Sequence, residues 1–254
     1  MEIKRIFKHP LYKHPNLYND IAVVELGRRI EYNHDVFGDS PVCPDNGVEV
    51  VGKQATIEGF GLTEFLTRGK LMAANVTIIS NSECQETLIY NTTDNYVARR
   101  LIDNALPQGL NYGLLCARGE KIKNKKGNVV YKGACKGDSG GPLTIKDKEG
   151  RTTLVGIVSG GIGCGKGIPG WYTKVAFFSN WIQCIVEKSR KITKKIDIER
   201  ACLDSTIKPK KCQDIETEDL IFGDLRSGDS KICNEDGTFA TETRFQPIFD
   251  PIFD

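Results

Sequence analysis

The sequence contains little of several residues and patterns, and each shortage narrows the classes of function. Its 254 residues include only three histidines, two methionines and two tryptophans. None of its nine cysteines belongs to a Cys-x-x-Cys pair, which argues for disulfides over a structural zinc site. No apolar run is long enough to cross a bilayer, and a net charge of +2 is too small to indicate nucleic-acid binding. We expect no metal, no cofactor, and neither a nucleic-acid nor a membrane partner.

Cysteine usage and two sequons point to the secretory compartment. The sequons are Asn75-Val76-Thr77 and Asn91-Thr92-Thr93, so Asn75 and Asn91 are predicted glycosylation sites. The chain is therefore expected to be extracellular. Its first residues, Met1 to Arg5, do not form a signal peptide, and from this we expect that preceding sequence is missing.

Short alternating segments and 26 glycines favour many short strands over long helices. One stretch, Gly133 to Leu143, carries the strongest chemical signal and reads Gly-Ala-Cys-Lys-Gly-Asp-Ser-Gly-Gly-Pro-Leu. A serine among glycines presents an exposed hydroxyl on a tight turn whose backbone N–H groups converge on one point. A bare Gly-Asp-Ser-Gly is also compatible with an ordinary glycine-rich turn. The full stretch resembles the nucleophile segment of the trypsin/chymotrypsin family of serine proteases.

This resemblance implies an all-β, chymotrypsin-like double antiparallel β-barrel whose first barrel is largely missing, followed by a C-terminal helix and an irregular tail. Two strands left from that first barrel would be marginally stable by themselves. The expected divisions are a first-barrel remnant at 1–42, an inter-barrel link at 43–54, the second barrel at 55–178, the helix at 179–200 and a tail of unknown role at 201–254.

The resemblance also implies roles for five residues. Ser139 would attack the scissile carbonyl, and the N–H groups of Gly137 and Ser139 would form the oxyanion hole. Asp20, which precedes a predicted strand, would orient the catalytic base, with Ser159 hydrogen-bonded to it. Asp138 would pair with the new amino terminus when a zymogen is cut. Considered alone, Asp20 is better explained as an ordinary exposed loop aspartate, and the matching sequence on both sides of it favours the catalytic role.

The catalytic histidine of the family has no counterpart in the sequence. Serine needs a base at hydrogen-bond distance, and the family places it in an Ala-Ala-His-Cys segment that is absent here. His9, His14 and His34 are interpreted as surface or loop histidines. We therefore expect this chain to be nearly inactive.

The implied specificity pocket lacks a carboxylate. Gly133 aligns with the pocket floor, where trypsin-like members carry aspartate, and Gly160 stands where most members have tryptophan. Without a buried carboxylate nothing offsets the desolvation of a substrate Lys or Arg, so a large apolar or aromatic side chain is expected. The lysine run at 121–126 is interpreted as a solvated loop or as a basic rim beside the cleft. The pocket residues assigned in this way are Gly133, Ala134, Ser159, Gly160, Gly161 and Gly170.

The family's pairing implies the disulfides Cys84–Cys116 and Cys135–Cys164. Two further half-cystine positions are occupied by Ala55 and Ile145, as expected if that bridge was lost as a unit. An odd number of cysteines remains, and Cys43 is the best candidate for a partner elsewhere. The other unassigned cysteines are Cys184, Cys202, Cys212 and Cys233.

Two local patterns complete the analysis. Ser82 followed by Gln85 predicts a capping box at the start of a helix. The stretch 160–167 resembles a phosphate-binding loop, but Gly167 stands where Ser or Thr is required, and the prolyl residue Pro169 prevents the helix.

The leading hypothesis is an extracellular serine endopeptidase whose partners are protein or peptide substrates and possible protease inhibitors. The alternative is a non-catalytic homologue that acts as a binding or cofactor module. A third interpretation, a structural extracellular module, rests only on the tail and the loops.

Overall fold

The computed structural model describes most of the first 202 residues and two short strands after them. His34 and Cys212 lie outside the described residues, so the interpretations placed on them have no structural counterpart. The described ranges are 2–30, 42–45, 47–62, 70–92, 95–124, 126–148, 150–202, 229–233 and 239–243.

The chain begins with a two-stranded antiparallel sheet, which we call the ribbon. Its strands are β1 (Ile3–Lys8) and β2 (Ala22–Leu26), with Ile6 opposite Val24. One face packs against C-terminal helices, while Ile6 and Val24 on the other face are 40% and 46% exposed. The ribbon is thus covered by the C-terminal helices on one face, and the apolar residues of its other face are partly exposed.

The remaining strands form one closed barrel and two hairpins. In chain order they are β3 (Cys43–Pro44), β4 (Gln54–Gly59), β5 (Met72–Ile79), β6 (Leu114–Gly119), β7 (Lys121–Lys123), β8 (Val129–Tyr131), β9 (Pro142–Lys146), β10 (Thr152–Gly160), β11 (Gly170–Lys174), β12 (Asp229–Cys233) and β13 (Phe239–Thr243).

Six of these strands close the barrel in the order β11-β6-β5-β4-β9-β10, with β10 pairing back to β11. All six pairings are antiparallel. The alternation of apolar residues along each strand fills the interior, as in Ile57, Val76 and Leu143. Ala55 and Ile145 are both buried in this interior, which fits their apolar character. The short strand β3 adds to β10 in parallel, outside the closed ring.

The described residues include four α-helices outside the barrel: α1 (Asn81–Thr92), α2 (Tyr96–Ala105), α3 (Ser179–Ser189) and α4 (Lys195–Ala201), with a 3₁₀ turn at Val175–Phe178. The predicted capping residue of α1 is wrong by two positions. Ser80 accepts the hydrogen bond from the Glu83 N–H at 3.1 Å, and Gln85 accepts from Leu110 N–H at 3.2 Å. The helix therefore begins earlier than Ser82, and Gln85 holds the loop that follows α2.

The single C-terminal helix predicted for 179–200 is two helices in the structure. A turn after Ser189 redirects the chain, and the disulfide Cys184–Cys202 joins α3 to the end of α4. This break brings Ile198 into the same buried cluster as Phe7 of the ribbon. The sequence pattern missed the break because the two halves have similar helical character and contain no proline.

The tail, which was expected to be irregular, contains two strands. Strands β12 and β13 pair antiparallel over five residues each, with Asp229 opposite Thr243. Across the part of the chain that the structure describes, no helix combines the length and apolar character needed to traverse a bilayer.

Candidate active site

The nucleophile candidate lies on an exposed turn between β8 and β9. Ser139 is exposed, and its neighbours Gly137 and Gly140 have φ angles of +100° and +83°. These left-handed conformations favour glycine, which explains their place in the motif. The Gly140 N–H donates to the Val158 carbonyl at 2.8 Å, so the turn is fixed to strand β10.

The N–H groups predicted to form an oxyanion hole are free. Within the described ranges, neither the Gly137 N–H nor the Ser139 N–H has a hydrogen-bond acceptor. By contrast, the intervening Asp138 N–H donates to the Cys135 carbonyl at 3.0 Å. The two donors, one of them the serine's own N–H, remain available to a ligand oxygen.

Asp138 points away from solvent, toward the end of β4. Its Oδ1 accepts from the Gly61 N–H at 2.8 Å, and its Oδ2 accepts from the Cys135 N–H at 2.9 Å. A Cβ at Gly59 or Gly61 would lie 2.0 or 2.4 Å from Oδ1, so both positions require glycine. The carboxylate is thus packed against backbone and held by two N–H donors.

Asp20 joins the ribbon to the barrel. Its Oδ2 accepts from Ser159 Oγ on β10 at 2.8 Å, and its carbonyl accepts from Thr173 Oγ1 on β11 at 2.7 Å. Burial, and then the charge of Asp20, raise the pKa of Tyr12 above its usual value. The side chain of Ser159 is therefore committed to Asp20, and Ser159 is not among the residues that line the pocket. Its assignment to the pocket is wrong.

Neither of the two histidines in the described ranges is bonded to Asp20 as a base would be. His9 is only 4% exposed, whereas it was interpreted as a surface or loop residue. Its ring makes edge contacts with Phe178 and Trp181, and burial lowers its pKa to about 4. His14 is exposed, and no described histidine is hydrogen-bonded to Asp20.

A pocket of about 240 Å³ opens beside Ser139. Its lining includes five of the six predicted pocket residues, namely Gly133, Ala134, Gly160, Gly161 and Gly170. Gly133 has open space where a side chain would start, so the position aligned with the pocket floor is empty. No acidic side chain is among the described residues that line the pocket.

A contact between Gly160 and Trp171 was missed by the sequence analysis. The two residues are opposite each other on β10 and β11, and Trp171 is 3% exposed. A Cβ at Gly160 would lie 2.4 Å from Trp171 Nε1, so only glycine fits beside this indole. A cross-strand pairing was the one signal that would have predicted this contact.

Three disulfides are present in the described part of the chain. Cys84–Cys116 and Cys135–Cys164 match the predicted pairs, and the second ties the nucleophile turn to the pocket wall. The third, Cys184–Cys202, was left unassigned by the sequence. Cys43 is an exposed free thiol on β3.

Both sequon asparagines are on the surface. Asn75 is exposed on β5, where its Oδ1 accepts from Thr56 Oγ1 at 3.4 Å. Asn91 is exposed in the last turn of α1, and its side-chain amide donates to the Thr87 carbonyl at 2.8 Å. Either side chain is accessible from solvent.

Comparison with known proteins decides the family. A family model described as Trypsin matches residues 1–182. The chain belongs to the trypsin family. Its mostly β architecture, with one closed antiparallel barrel and helices after it, confirms the predicted fold class. The range shared with the trypsin family contains both Asp20 and Ser139.

Curated trypsin-family relatives match most of this chain. CLIP domain-containing serine protease C9 of Anopheles gambiae is 33% identical over 74% of this chain and 50% of its own length. Trypsin II-P29 of Gallus gallus is 32% identical over 70% of this chain and 60% of its own length. Inactive CLIP domain-containing serine protease A28 of Anopheles gambiae is 29% identical over 72% of this chain and 43% of its own length. The chain thus spans about half the length of these trypsin-family relatives.

Proposed function

We propose that this chain carries the nucleophile, the oxyanion hole and the specificity pocket of an extracellular serine endopeptidase. The observation that carries the proposal is the exposed Ser139 beside a pocket of about 240 Å³, with its own N–H and that of Gly137 free of acceptors within the described ranges. Acyl transfer needs these parts together: a nucleophile, donors for the developing oxyanion and a site that positions the substrate.

The reaction would proceed through an acyl-enzyme. Ser139 Oγ attacks the scissile carbonyl carbon while its proton passes to a base, and the carbonyl oxygen becomes an oxyanion facing the Gly137 and Ser139 N–H groups. Collapse of this intermediate expels the amine, which takes up a proton. Water then repeats the sequence on the ester and releases the acid. Asp20 would orient the base, and its fixed position on Ser159 and Thr173 supports that role.

The base is the missing part of this mechanism. His9 is buried against two aromatic rings with a pKa of about 4, which disqualifies it as the proton acceptor. In the serine-protease triad, for which this was measured, loss of one member leaves roughly 10³ to 10⁴ over the uncatalysed rate. We therefore expect this chain alone to turn over substrates very slowly.

The pocket favours an uncharged apolar or aromatic substrate side chain over lysine or arginine. Its described lining has no carboxylate, and it includes Lys132, Lys136 and Lys166. Burial, and then the charge of Asp138, hold the pKa of Tyr172 far above its usual value, so the pocket's phenol is neutral. A cationic side chain would lose its hydration there without gaining a counter-charge.

Three further roles belong to the same proposal. Asp138 would receive a new amino terminus on zymogen activation, exchanging its present N–H partners for a cation. Asn75 and Asn91 would carry glycans, since both are exposed and secretion would bring them to the glycosylation machinery. Protein or peptide substrates and protease inhibitors would approach the face that bears Ser139.

Active-site labelling tests the proposal. A fluorophosphonate probe should label this chain slowly, and added imidazole should accelerate labelling by supplying a diffusible base. Ser139→Ala is the control and should abolish labelling. Fast labelling without imidazole would contradict the missing base, whereas no labelling at high imidazole would contradict a poised nucleophile.

A non-catalytic role as a binding or cofactor module is the second candidate. Two observations favour it: no described histidine contacts Asp20, and one relative at 29% identity is named inactive. In that case Ser139→Ala would leave binding of a protein partner unchanged, and the serine would stay unlabelled under every condition.

A further inference from the structure

The hairpin of β7 and β8 brings one more side chain to the pocket. Tyr131 is the last residue of β8, and it lines the pocket together with Gly133 and Ser139. Its N–H donates to the Gly165 carbonyl at 3.1 Å. The hairpin is a separate two-stranded sheet and is not part of the closed barrel.

The aromatic ring of Tyr131 packs against Gly167, and both residues line the pocket. A Cβ at Gly167 would lie 2.7 to 2.9 Å from three atoms of this ring, and Gly167 has a φ of +79°. The ring therefore rests directly on the glycine backbone, which no other residue would allow. Segments 131–133 and 165–167 meet at this contact.

The backbone that carries Tyr131 is fixed on its other side by β6. A Cβ at Gly119 would lie 1.4 Å from the Lys132 carbonyl oxygen, so the chain crosses the end of β6 in close contact. The Lys132 N–H donates to the Glu120 carbonyl at 2.9 Å, and Lys132 Nζ lies 2.7 Å from Glu120 Oε2. The backbone at Tyr131 and Lys132 is thus held on one side by the 165–167 loop and on the other by the end of β6.

The rest of the lining offers few side chains with which a bound group can make a directional contact. Eight glycines line the pocket: Gly119, Gly133, Gly160, Gly161, Gly163, Gly165, Gly167 and Gly170. The aromatic side chains of the lining are Tyr131 and Tyr172. Tyr172 is 2% exposed and extends from β11 inside the barrel, whereas Tyr131 is half-buried at the meeting of two loops.

We infer that Tyr131 is a specificity-determining residue, whose ring gives the pocket a preference for an aromatic substrate side chain over a saturated one of the same size. This inference rests on the proposed function, because it assumes that the pocket receives a substrate side chain. Aromatic rings in offset or edge contact gain binding energy beyond that of buried area, which a saturated ring does not share. The expected preference is about threefold to tenfold.

Two matched probes test the inference without requiring catalysis. Benzyl alcohol and cyclohexylmethanol have rings of similar size, and their binding to the full chain is followed by shifts of the amide signals of Gly133, Gly161 and Gly170. Tyr131→Leu keeps apolar bulk but removes the ring, so the ratio of the two affinities should fall by about threefold to tenfold relative to the unchanged chain. Tyr131→Phe should keep the ratio.

Val129→Ala is the matched control, since Val129 is an exposed residue of the same hairpin and does not line the pocket. An unchanged ratio in Tyr131→Leu, an equal fall in Val129→Ala, or the absence of shifts at the three glycines would each overturn the inference. Fluorophosphonate labelling separates this result from the proposed function. If Ser139 never reacts but the ratio falls as expected, acyl transfer fails and the aromatic preference of the pocket stands.

Discussion

The ribbon and the barrel are both antiparallel sheets, but they bury their apolar residues in different ways. Every barrel strand has two neighbours, and the closed ring encloses its own interior. The ribbon has one buried face, on which Phe7 and Ile21 pack against Trp181, Ile185 and Ile198 of the C-terminal helices. The comparison teaches that the barrel is stabilised from within, while the ribbon depends on segments more than 150 residues away in the chain.

Arg5 connects the ribbon directly to these distant segments. Its guanidinium, 9% exposed, donates to the carbonyls of Ser189, Ile192 and Thr193 at 3.2, 3.1 and 2.9 Å. It also bonds Glu25, and this hydrogen bond is the main reason that the pKa of Glu25 is lowered. One side chain thus joins both ribbon strands to the end of α3.

The largest expected effect is in the barrel interior. Leu143→Ala removes a fully buried side chain from β9 and should lower the free energy of unfolding by about 2–5 kcal/mol, because the closed ring cannot collapse into the cavity. Urea unfolding measures it, and Met72→Ala, at an exposed position of β5, is the control. Equal losses in the two variants would contradict a self-contained interior.

His9 should make the ribbon contact sensitive to acid. Its pKa of about 4 in the folded chain lies below the 6.5 of an unfolded histidine, so the unfolded state binds more protons between these values. Stability should be full above pH 6.5 and should fall toward pH 4 by at most about 3 kcal/mol. His9→Phe should reduce this fall, measured as unfolding midpoints at several pH values. His14→Gln, at an exposed position, should not, and equal profiles for the two variants would refute the assignment to His9.

Arg5→Ala should loosen the ribbon and leave the barrel intact. Loss of its charge-assisted hydrogen bonds should cost about 1.5–3 kcal/mol, and it should appear as faster amide exchange at 3–8 and 22–26. Lys4→Ala removes the other, exposed partner of Glu25 and should cost about 1 kcal/mol or less. Faster amide exchange in the barrel strand β5 of the Arg5→Ala variant would contradict the prediction that the barrel is stable independently of the ribbon.

The smallest expected effect concerns a close contact in the barrel wall. Gly160→Ala would place a Cβ 2.4 Å from Trp171 Nε1, and strand pairing prevents relief, so a loss of about 1–3 kcal/mol is expected. Gly133→Ala is matched to it, since its Cβ would enter open space. Thermal unfolding compares the stability of the two variants. An unchanged stability of Gly160→Ala would show that Trp171 and the strands around it can shift to accommodate the added methyl group.

What the sequence predicts well is local or carried by a long motif. The barrel and the disulfides Cys84–Cys116 and Cys135–Cys164 were implied by the family resemblance, which rests above all on the segment around Ser139. The hydrogen bond from Ser159 to Asp20 was also implied by the family resemblance, and the structure has it at 2.8 Å.

What the sequence missed depends on contacts between distant segments. Nothing near His9 shows that Phe178 and Trp181 will cover it. The fit of Trp171 against Gly160 and of Tyr131 against Gly167 arises only after strands and loops are paired. Helix propensity around Ser189 does not predict the turn there. The Ser189 carbonyl accepts a hydrogen bond from Arg5, which lies near the other end of the chain.

Two hydrogen bonds hold Asp20 to strands that are distant from it in the sequence. The residue lies two positions before β2 in the sequence, yet hydrogen bonds from Ser159 and Thr173 hold its carboxylate and its carbonyl to the barrel. The position of the Asp20 carboxylate is therefore set by two strands of the closed ring, although the neighbouring strand β2 pairs only with β1.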